Sequence, residues 1–138
     1  MPDKAYFLDT NVLVYAYTSR SDAKSDIANA LITSGEAMVS AQVLNEFCNT
    51  IRRKFAGMYS NIDAALDELV SVLPVAPLTL ATTRSAVGLS QRYGWSYYDA
   101  LIVAVALEAG CSVVLSEDMQ HGMSVDSRLR IENPFLKS

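Results

Sequence analysis

The stretch YFLDTNVLVYAY, residues 6–17, places an aspartate directly after a short apolar run and then returns to apolar residues with almost no turn. A continuous apolar run such as AYFL (5–8) is typical of a strand that is covered on both faces of a parallel sheet. The residues from Asn11 to Tyr17 predict a short helix. Asp9 therefore lies where a buried strand gives way to a helix, either as a helix cap or as part of an acidic site.

Short apolar runs alternate with helical patterns along the rest of the chain. Further strands are predicted at AMVS (37–40), VAP (75–77), SVVLSED (112–118) and LRIEN (129–133). Helices are predicted from Ser21 or Asp22 to Gly35, from residue 41 to Gly57, over 61–72, from Thr79 to about residue 93, and over 96–110. Because strands that alternate with helices favour βαβ units, the predicted fold is α/β, a three-layer α/β/α sandwich with a short, mainly parallel sheet.

The composition indicates one folded unit with a sizeable core. With 138 residues and 51% hydrophobic content, residues 1–138 are predicted to form a single domain. Charged residues interrupt each apolar run before it reaches the length of a membrane span, and the chain begins without a signal-peptide pattern. We therefore expect a soluble cytoplasmic protein with no membrane segment. Cys48 and Cys111 lack metal-site spacing and are predicted to be buried thiols.

The formal net charge of −4 is unusual for a protein that binds nucleic acid, where a basic surface is the norm. A cluster of carboxylates that binds divalent cations is an exception to this argument. Such a cluster counts as strongly negative in the sequence, yet it is neutral or positive once the ions are bound.

Four acidic residues are candidates for such a cluster, and each has a simpler interpretation. Asp9 and Asp118 follow predicted strands, so both lie at the carboxyl edge of the sheet, where ligands gather in α/β folds. Glu46 lies about 60° outside the apolar arc of its helix, from where it reaches the rim of the sheet. Asp99 opens a strongly apolar helix. In these simpler interpretations, Asp9 caps a helix and Glu46 is a solvated glutamate. Asp99 completes a capping box with Ser96. Asp118 belongs to a loop, in which Glu117 is an alternative candidate for the functional acid.

Convergence of these four acids at one edge would make them repel one another and raise their pKa values. Divalent cations remove this repulsion, and all-oxygen sites suit hard ions such as Mg²⁺ or Mn²⁺. Ions of this kind activate water and stabilise charge at phosphorus. The pattern therefore predicts phosphodiester hydrolysis.

With these residues in place, the sequence resembles the PIN-domain family, and within it the VapC-type ribonuclease toxins of toxin–antitoxin pairs. FLDTNVLVYA, VSAQVLNEFCN, YYDALIVAVALEAGC and VLSEDMQHG are similar to the four segments that carry the family's acids, in the family's order, and IENPF is similar to its closing strand. The match to the four segments assigns the acids to Asp9, Glu46, Asp99 and Asp118. The adjacent Glu117 is a departure that leaves the fourth position open between two residues.

The resemblance implies a Mg²⁺- or Mn²⁺-dependent endoribonuclease that acts on RNA, forms a homodimer and is held inactive by a cognate VapB-like antitoxin. It implies that Asp9 and Asp99 bind the metal directly and that Glu46 and Asp118 complete the site. Asn11 and Ser116 are then expected to hold these carboxylates by hydrogen bonds.

Other readings stay open at this point. A PIN-domain nuclease that processes RNA without acting as a toxin would carry the same acids, and a partner-binding module would carry them as caps. A phosphotransferase with Asp9 as nucleophile is less favoured because Asn11 stands where a second aspartate is expected.

Several residues near the acids also have two interpretations. Arg52, Arg53 and Lys54 either favour the negative end of the Glu46 helix or contact RNA phosphates. Tyr97 and Tyr98 either pack in the core or at its rim, the favoured reading, or stack on bases. His121 is expected to serve solubility in a polar loop.

Overall fold

Six strands form one sheet in the computed structural model, which describes residues 4–18 and 22–136. In chain order the strands of this described part are β1 (Tyr6–Leu8), β2 (Ala37–Ser40), β3 (Val75–Ala76), β4 (Val113–Leu115), β5 (Ser124–Val125) and β6 (Leu129–Glu132). Their order across the sheet is β3-β2-β1-β4-β6-β5, and each neighbouring pair is parallel except β5 and β6.

Helices flank this sheet. They are α1 (Thr10–Thr18), α2 (Ala23–Ile32), α3 (Ala41–Lys54), a 3-10 helix (Ala56–Asn61), α4 (Ile62–Val72), α5 (Leu80–Tyr93) and α6 (Tyr97–Glu108). The predicted α/β class with a mainly parallel sheet is confirmed.

The order of the strands sets where a site can form. The chain steps from β1 to β2 to β3 in one direction and then crosses back to β4 on the other side of β1. Because parallel crossovers are right-handed, this reversal places α1 to α4 on one face and α5 and α6 on the other. The contacts agree, since α1 packs on α2 and α3 while α5 packs on α6. A crevice therefore opens between the carboxyl ends of β1 and β4.

The core is continuous through the sheet because its central strands are buried on both faces. Phe7, Leu8, Met38, Val39, Val114 and Leu115 are all buried. Helix α6 is buried on nearly all sides, with seven consecutive buried residues from Ala100 to Ala106. In the described part of the chain, no helix has both the length and the apolarity that crossing a membrane requires.

The predicted elements are found with ends shifted by up to three residues, and the residue predicted to end α3 is wrong. The helix stops at Lys54 rather than at Gly57, because the backbone of Phe55 leaves helical geometry at φ −135° and ψ 50°. The chain then continues into the 3-10 helix, where the Met58 N–H donates to the Phe55 carbonyl at 2.8 Å. Gly57 lies inside that turn and is not the residue that ends α3.

Helix α2 begins after Asp22, whose side chain accepts a hydrogen bond from the Ser25 N–H. The alternative cap, Ser21, lies outside the described residues. The helix ends at Ile32, before the predicted Gly35. Of the two cysteines, Cys111 is buried as predicted, whereas Cys48 is only half-buried.

Candidate active site

Asp9 occupies the crevice between β1 and β4. The two strands are in register, with Leu8 opposite Leu115, so the next residues, Asp9 and Ser116, lie side by side. The Asp9 side chain is only 7% exposed. Its Oδ1 accepts the N–H of Thr10 at 2.7 Å and its Oδ2 accepts the Ser116 hydroxyl at 2.7 Å. The first bond satisfies the first N–H group of α1, but the usual N-cap bond to the second or third helical N–H group is not made.

One open cavity of about 560 Å³ brings the predicted acids together. We call it the acid pocket. It is lined by acids from four elements or their ends: Asp9, Glu46, Asp99, Glu117 and Asp118. All four predicted residues thus share one cavity, together with the alternative Glu117.

Helix α3 supplies Glu46 from the side of the pocket. Glu46 is half-buried, as its predicted position beside the apolar arc of the helix implies. Its Oε2 accepts the Thr10 hydroxyl at 3.2 Å and the Gln42 side-chain amide at 3.3 Å. Two donors from different helices therefore fix this carboxylate.

Gln42 was not predicted from the sequence. It is 5% exposed, and its Nε2 donates both to Glu46 and to the backbone carbonyl of Tyr98 at 3.2 Å. The residue thereby ties the helix that carries Glu46 to the start of the helix that carries Asp99. A polar side chain four positions before Glu46 on the same face of the helix was the available signal.

Asp99 lies in the first turn of α6. The Ser96 hydroxyl accepts the Asp99 N–H at 3.3 Å, which makes Ser96 the helix cap as predicted. The reciprocal half of the capping box is absent, since the Asp99 carboxylate has no hydrogen-bond partner among residues 4–18 and 22–136. This carboxylate is half-buried and lines the acid pocket.

The neighbouring acids Glu117 and Asp118 have different surroundings. Glu117 accepts the Tyr15 hydroxyl and the Lys24 ammonium, both at 2.5 Å. Asp118 accepts the Asn11 side-chain amide at 3.3 Å, and its N–H donates to Ser116 Oγ at 3.2 Å. The predicted contacts of Asn11 and Ser116 with the site carboxylates are thus confirmed.

The sequence model of the PIN domain family matches residues 6–121 of the chain. This match covers most of the chain and includes all four predicted acids. The chain belongs to the PIN-domain family. A comparison with curated protein sequences found no match.

Solved structures share the fold of this PIN domain. A toxin–antitoxin complex from Klebsiella pneumoniae aligns with a TM-score of 0.72 and 16% identity, over 94% of this chain and 98% of that one. DNA-bound VapBC from Salmonella typhimurium aligns with a TM-score of 0.68 and 23% identity, over 95% and 98%. VapC20 from Mycobacterium tuberculosis, described as a toxin that cleaves the sarcin–ricin loop, aligns with a TM-score of 0.66 and 23% identity, over 82% and 89%.

The carboxylates of this PIN domain act on one another electrostatically. Burial raises the pKa of Asp9; the hydrogen bonds from Ser116 and Thr10 counteract this, and the charges of Asp99 and Asp118 add to the increase. Burial also raises the pKa of Glu46, and the charge of Asp9 adds to it. The mutual repulsion expected from the sequence is therefore present in the pocket.

The donor set of the PIN domain suits a hard cation, because every acid in the pocket offers carboxylate oxygens. In addition, the buried Oδ1 of Asn11, which lines the pocket, has no hydrogen-bond partner. Within the described ranges, no three His, Cys, Asp or Glu side chains are grouped closely enough to hold an ion as they stand. Mg²⁺ commonly binds through one or two carboxylates and keeps several waters, so a site of this kind does not depend on three grouped acids.

The aromatic and histidine side chains near the pocket differ in their exposure and contacts. Tyr98 is 62% exposed and Tyr97 is 37% exposed, so the expected packing in the core or at its rim is wrong for Tyr98. Tyr97 is also exposed, so the expectation of burial in the core is wrong for both residues. Their rings meet edge to face at 5.8 Å. His121 is exposed, and its Nδ1 accepts the backbone N–H of Asn133 at 2.9 Å, so it joins two loop segments.

Proposed function

We propose that this PIN domain is a metal-dependent endoribonuclease that hydrolyses RNA phosphodiester bonds, and that it is the toxin of a VapBC-type toxin–antitoxin pair. The observation that carries the proposal is the acid pocket, in which Asp9, Glu46, Asp99 and Asp118 come from distant parts of the chain to one crevice. Membership of the PIN-domain family and the shared fold with toxin–antitoxin proteins support it.

In this proposal Asp9 and Asp99 hold a divalent ion directly. Asp9 is held in place from both sides by Thr10 and Ser116, whereas the Asp99 carboxylate makes no hydrogen bond to any residue in the described ranges. Glu46 and Asp118 complete the site. A bound Mg²⁺ or Mn²⁺ would supply an activated water and would stabilise negative charge at phosphorus.

The residues of the chain then orient the reacting groups. Thr10 and Gln42 fix the Glu46 carboxylate, and Asn11 fixes that of Asp118. Because two hydrogen bonds hold the Glu46 carboxylate at the side of the pocket, we assign to it the orientation of the attacking water or the binding of a second ion.

The proposed partners follow from the family resemblance. We propose an RNA substrate, a VapB-like antitoxin that blocks the acid pocket, a homodimeric assembly and a cytoplasmic location. Solved structures that share the fold are described as a toxin–antitoxin complex and as VapBC bound to DNA, which supports a protein partner of this kind.

The test is cleavage of total cellular RNA by the purified, partner-free protein, with and without Mg²⁺ or Mn²⁺. We expect discrete metal-dependent cuts that Asp9→Asn abolishes, because this change removes the central charge while it keeps the size of the side chain. Asp67→Asn, on the exposed surface of α4, is the matched control and is expected to cleave normally.

The outcome also separates the alternatives. Absence of cleavage in both metals by a folded protein would leave a partner-binding module. Cleavage together with normal growth of cells that express the protein without its partner would indicate an RNA-processing nuclease instead of a toxin. Full activity of Asp9→Asn would overturn the metal site itself.

A further inference from the structure

The acid pocket also has a basic side. Helix α3 lines the pocket with Glu46, Asn49, Thr50, Arg53 and Lys54. Positions 46, 50 and 53 recur at helical spacing, so they share one face of the helix. The same face that presents an acid to the pocket therefore presents a cation two turns later.

The two cations that line the pocket, Arg53 and Lys54, form no ion pair with the acids across it. The ion pairs of the described residues join Lys24 to Glu117, Arg92 to Asp126 and Arg130 to Glu132, and neither Arg53 nor Lys54 takes part. Both side chains are exposed, and neither makes a hydrogen bond within residues 4–18 and 22–136. Their charges remain available to an anion that enters the pocket.

The third basic residue of this segment behaves differently. Arg52 does not line the pocket, and its guanidinium donates to the Asn49 side chain at 3.4 Å. It has the same charge and lies in the same last turn of α3, so its interaction with the helix dipole matches that of Arg53. Arg52 is therefore an internal control for every effect of charge at this helix end except contact with the pocket.

Spacing along the helix indicates what the basic side can reach. Seven residues separate Glu46 from Arg53, which places Arg53 about 10 Å farther along the helix axis. A nucleic-acid strand advances about 3.4 Å per nucleotide when helical and more when extended, so this separation equals about one to three nucleotides. A strand whose reacting phosphate lay among the acids would thus bring a neighbouring phosphate to Arg53.

We propose that Arg53 and Lys54 each bind a backbone phosphate of the RNA strand, within about one to three nucleotides of the cleaved bond. The inference rests on the proposed nuclease function and assigns a substrate-positioning role to residues outside the four acids. It also explains how a chain of net charge −4 holds a polyanion, since the acids face the reacting phosphate while the basic side holds its neighbour.

The first test measures binding to a fluorescein-labelled single-stranded RNA 12-mer of mixed sequence in Mg²⁺, over a series of NaCl concentrations. Asp9→Asn serves as the non-cleaving background, and Arg53→Gln, Lys54→Gln and Arg52→Gln are each added to it. Binding of a single strand weakens with salt, and each phosphate contact adds about 0.7 to the steepness of log K against log salt. A variant that loses one contact should therefore lose about fivefold less affinity per tenfold rise in salt. We expect this change for Arg53→Gln and Lys54→Gln but not for Arg52→Gln.

The second test locates the phosphate. Once the cut site is mapped, short RNAs that contain it are made with one neutral methylphosphonate at each position in turn. Removal of the phosphate charge that Arg53 contacts should weaken binding to the protein with Arg53 intact and should have no further effect on Arg53→Gln.

Each result has a defined meaning. If the unaltered protein cleaves cellular RNA while Arg53→Gln and Lys54→Gln keep the salt slope of Arg52→Gln, this inference is wrong and the nuclease stands. If the unaltered protein neither cleaves nor binds RNA, both proposals fall. If no position gave a methylphosphonate effect that disappears in Arg53→Gln, the inference would also be wrong.

Discussion

At the scale of single residues, the adjacent acids Glu117 and Asp118 differ in their hydrogen-bond partners. Burial works against ionisation of Glu117, but the hydrogen bonds from Lys24 and Tyr15 and the charge of Lys24 outweigh it, so the pKa of Glu117 is lowered. Lys24 also lies over the Tyr15 ring, 4.7 Å from its centroid. Glu117 is thus held by hydrogen bonds to Tyr15 and Lys24. Asp118 instead accepts a hydrogen bond from Asn11, and its charge helps to raise the pKa of Asp9.

We therefore predict that Asp118→Asn lowers metal-dependent RNA cleavage by about 10- to 100-fold, the usual effect of disturbing a metal site. Glu117→Gln should leave cleavage largely unchanged, because the amide can still accept from Tyr15. The measurement is the initial rate of cleavage of one mapped RNA by both variants. An equal loss in the two variants would assign Glu117 to the site as well.

The same residue gives a prediction on stability. Because the pKa of Glu117 is lowered in the folded protein, its ionised form stabilises the fold above its unfolded pKa, and this contribution is lost as the pH falls through the folded value. Urea unfolding at pH 7 should show Glu117→Gln to be less stable than the unaltered protein, and the difference should shrink at pH 3. A difference that grows in acid would contradict this assignment.

At the scale of elements, the helix starts set the positions of the acids. Helix α3 begins at Ser40, which is fully buried and accepts the Val43 N–H at 3.2 Å. Helix α6 begins at Ser96, which is exposed and caps the turn that holds Asp99. Each helix therefore carries its acid, Glu46 or Asp99, within two turns of a serine cap.

We predict that Ser40→Ala lowers the free energy of unfolding by about 2 kcal/mol, and Ser96→Ala by about 1 kcal/mol or less. The buried site loses more because the Val43 N–H would lose its hydrogen-bond partner at a position that water does not reach. Urea unfolding of the two variants, monitored by circular dichroism, measures both values. Equal losses at the two caps would contradict the role of burial.

The elements also show what the sequence could and could not predict. Strands β1, β2 and β4 were predictable because buried parallel strands consist of short apolar runs. The acids that follow or adjoin these strands were predictable for the same reason. The hairpin between β5 and β6 was not, since its turn uses Asp126 and Ser127 at φ 51° and 58° where glycine or asparagine is the usual signal. The links made by Lys24 and Gln42 depend on contacts between distant segments, which local patterns do not encode.

At the scale of the whole molecule, the fold concentrates negative charge in one crevice. The raised pKa values of Asp9 and Glu46 mean that, without metal, the folded state holds these protons more tightly than the unfolded chain does.

The interpretation of residues 1–138 as one domain stays a prediction.

We predict that the metal-free protein loses stability as the pH rises from the ordinary carboxyl values of 3.8 and 4.5 through the raised values of Asp9 and Glu46. Mg²⁺ or Mn²⁺ should reverse this near pH 7, by about 2.7 kcal/mol when the free ion is at 100 times its Kd. Thermal unfolding over a pH series, with and without each ion, measures both effects.

The control for this experiment is Asp9→Asn, which removes the most buried of the charges. Its melting temperature should depend less on pH and should rise less with metal than that of the unaltered protein. Identical profiles for the two proteins would mean that the pocket carboxylates do not bind the ion.

The two outer strands of the sheet, β3 and β5, each contain only two residues. An outer strand of this length offers few unpaired backbone groups to another chain, so it is a poor template for growth of the sheet between molecules. A chain with 51% hydrophobic residues and strongly β-forming segments is thereby protected, once folded, from edge-to-edge aggregation. Lengthening β3 by strand-forming substitutions beyond Ala76 would remove this protection and should make the folded protein assemble into oligomers at high concentration.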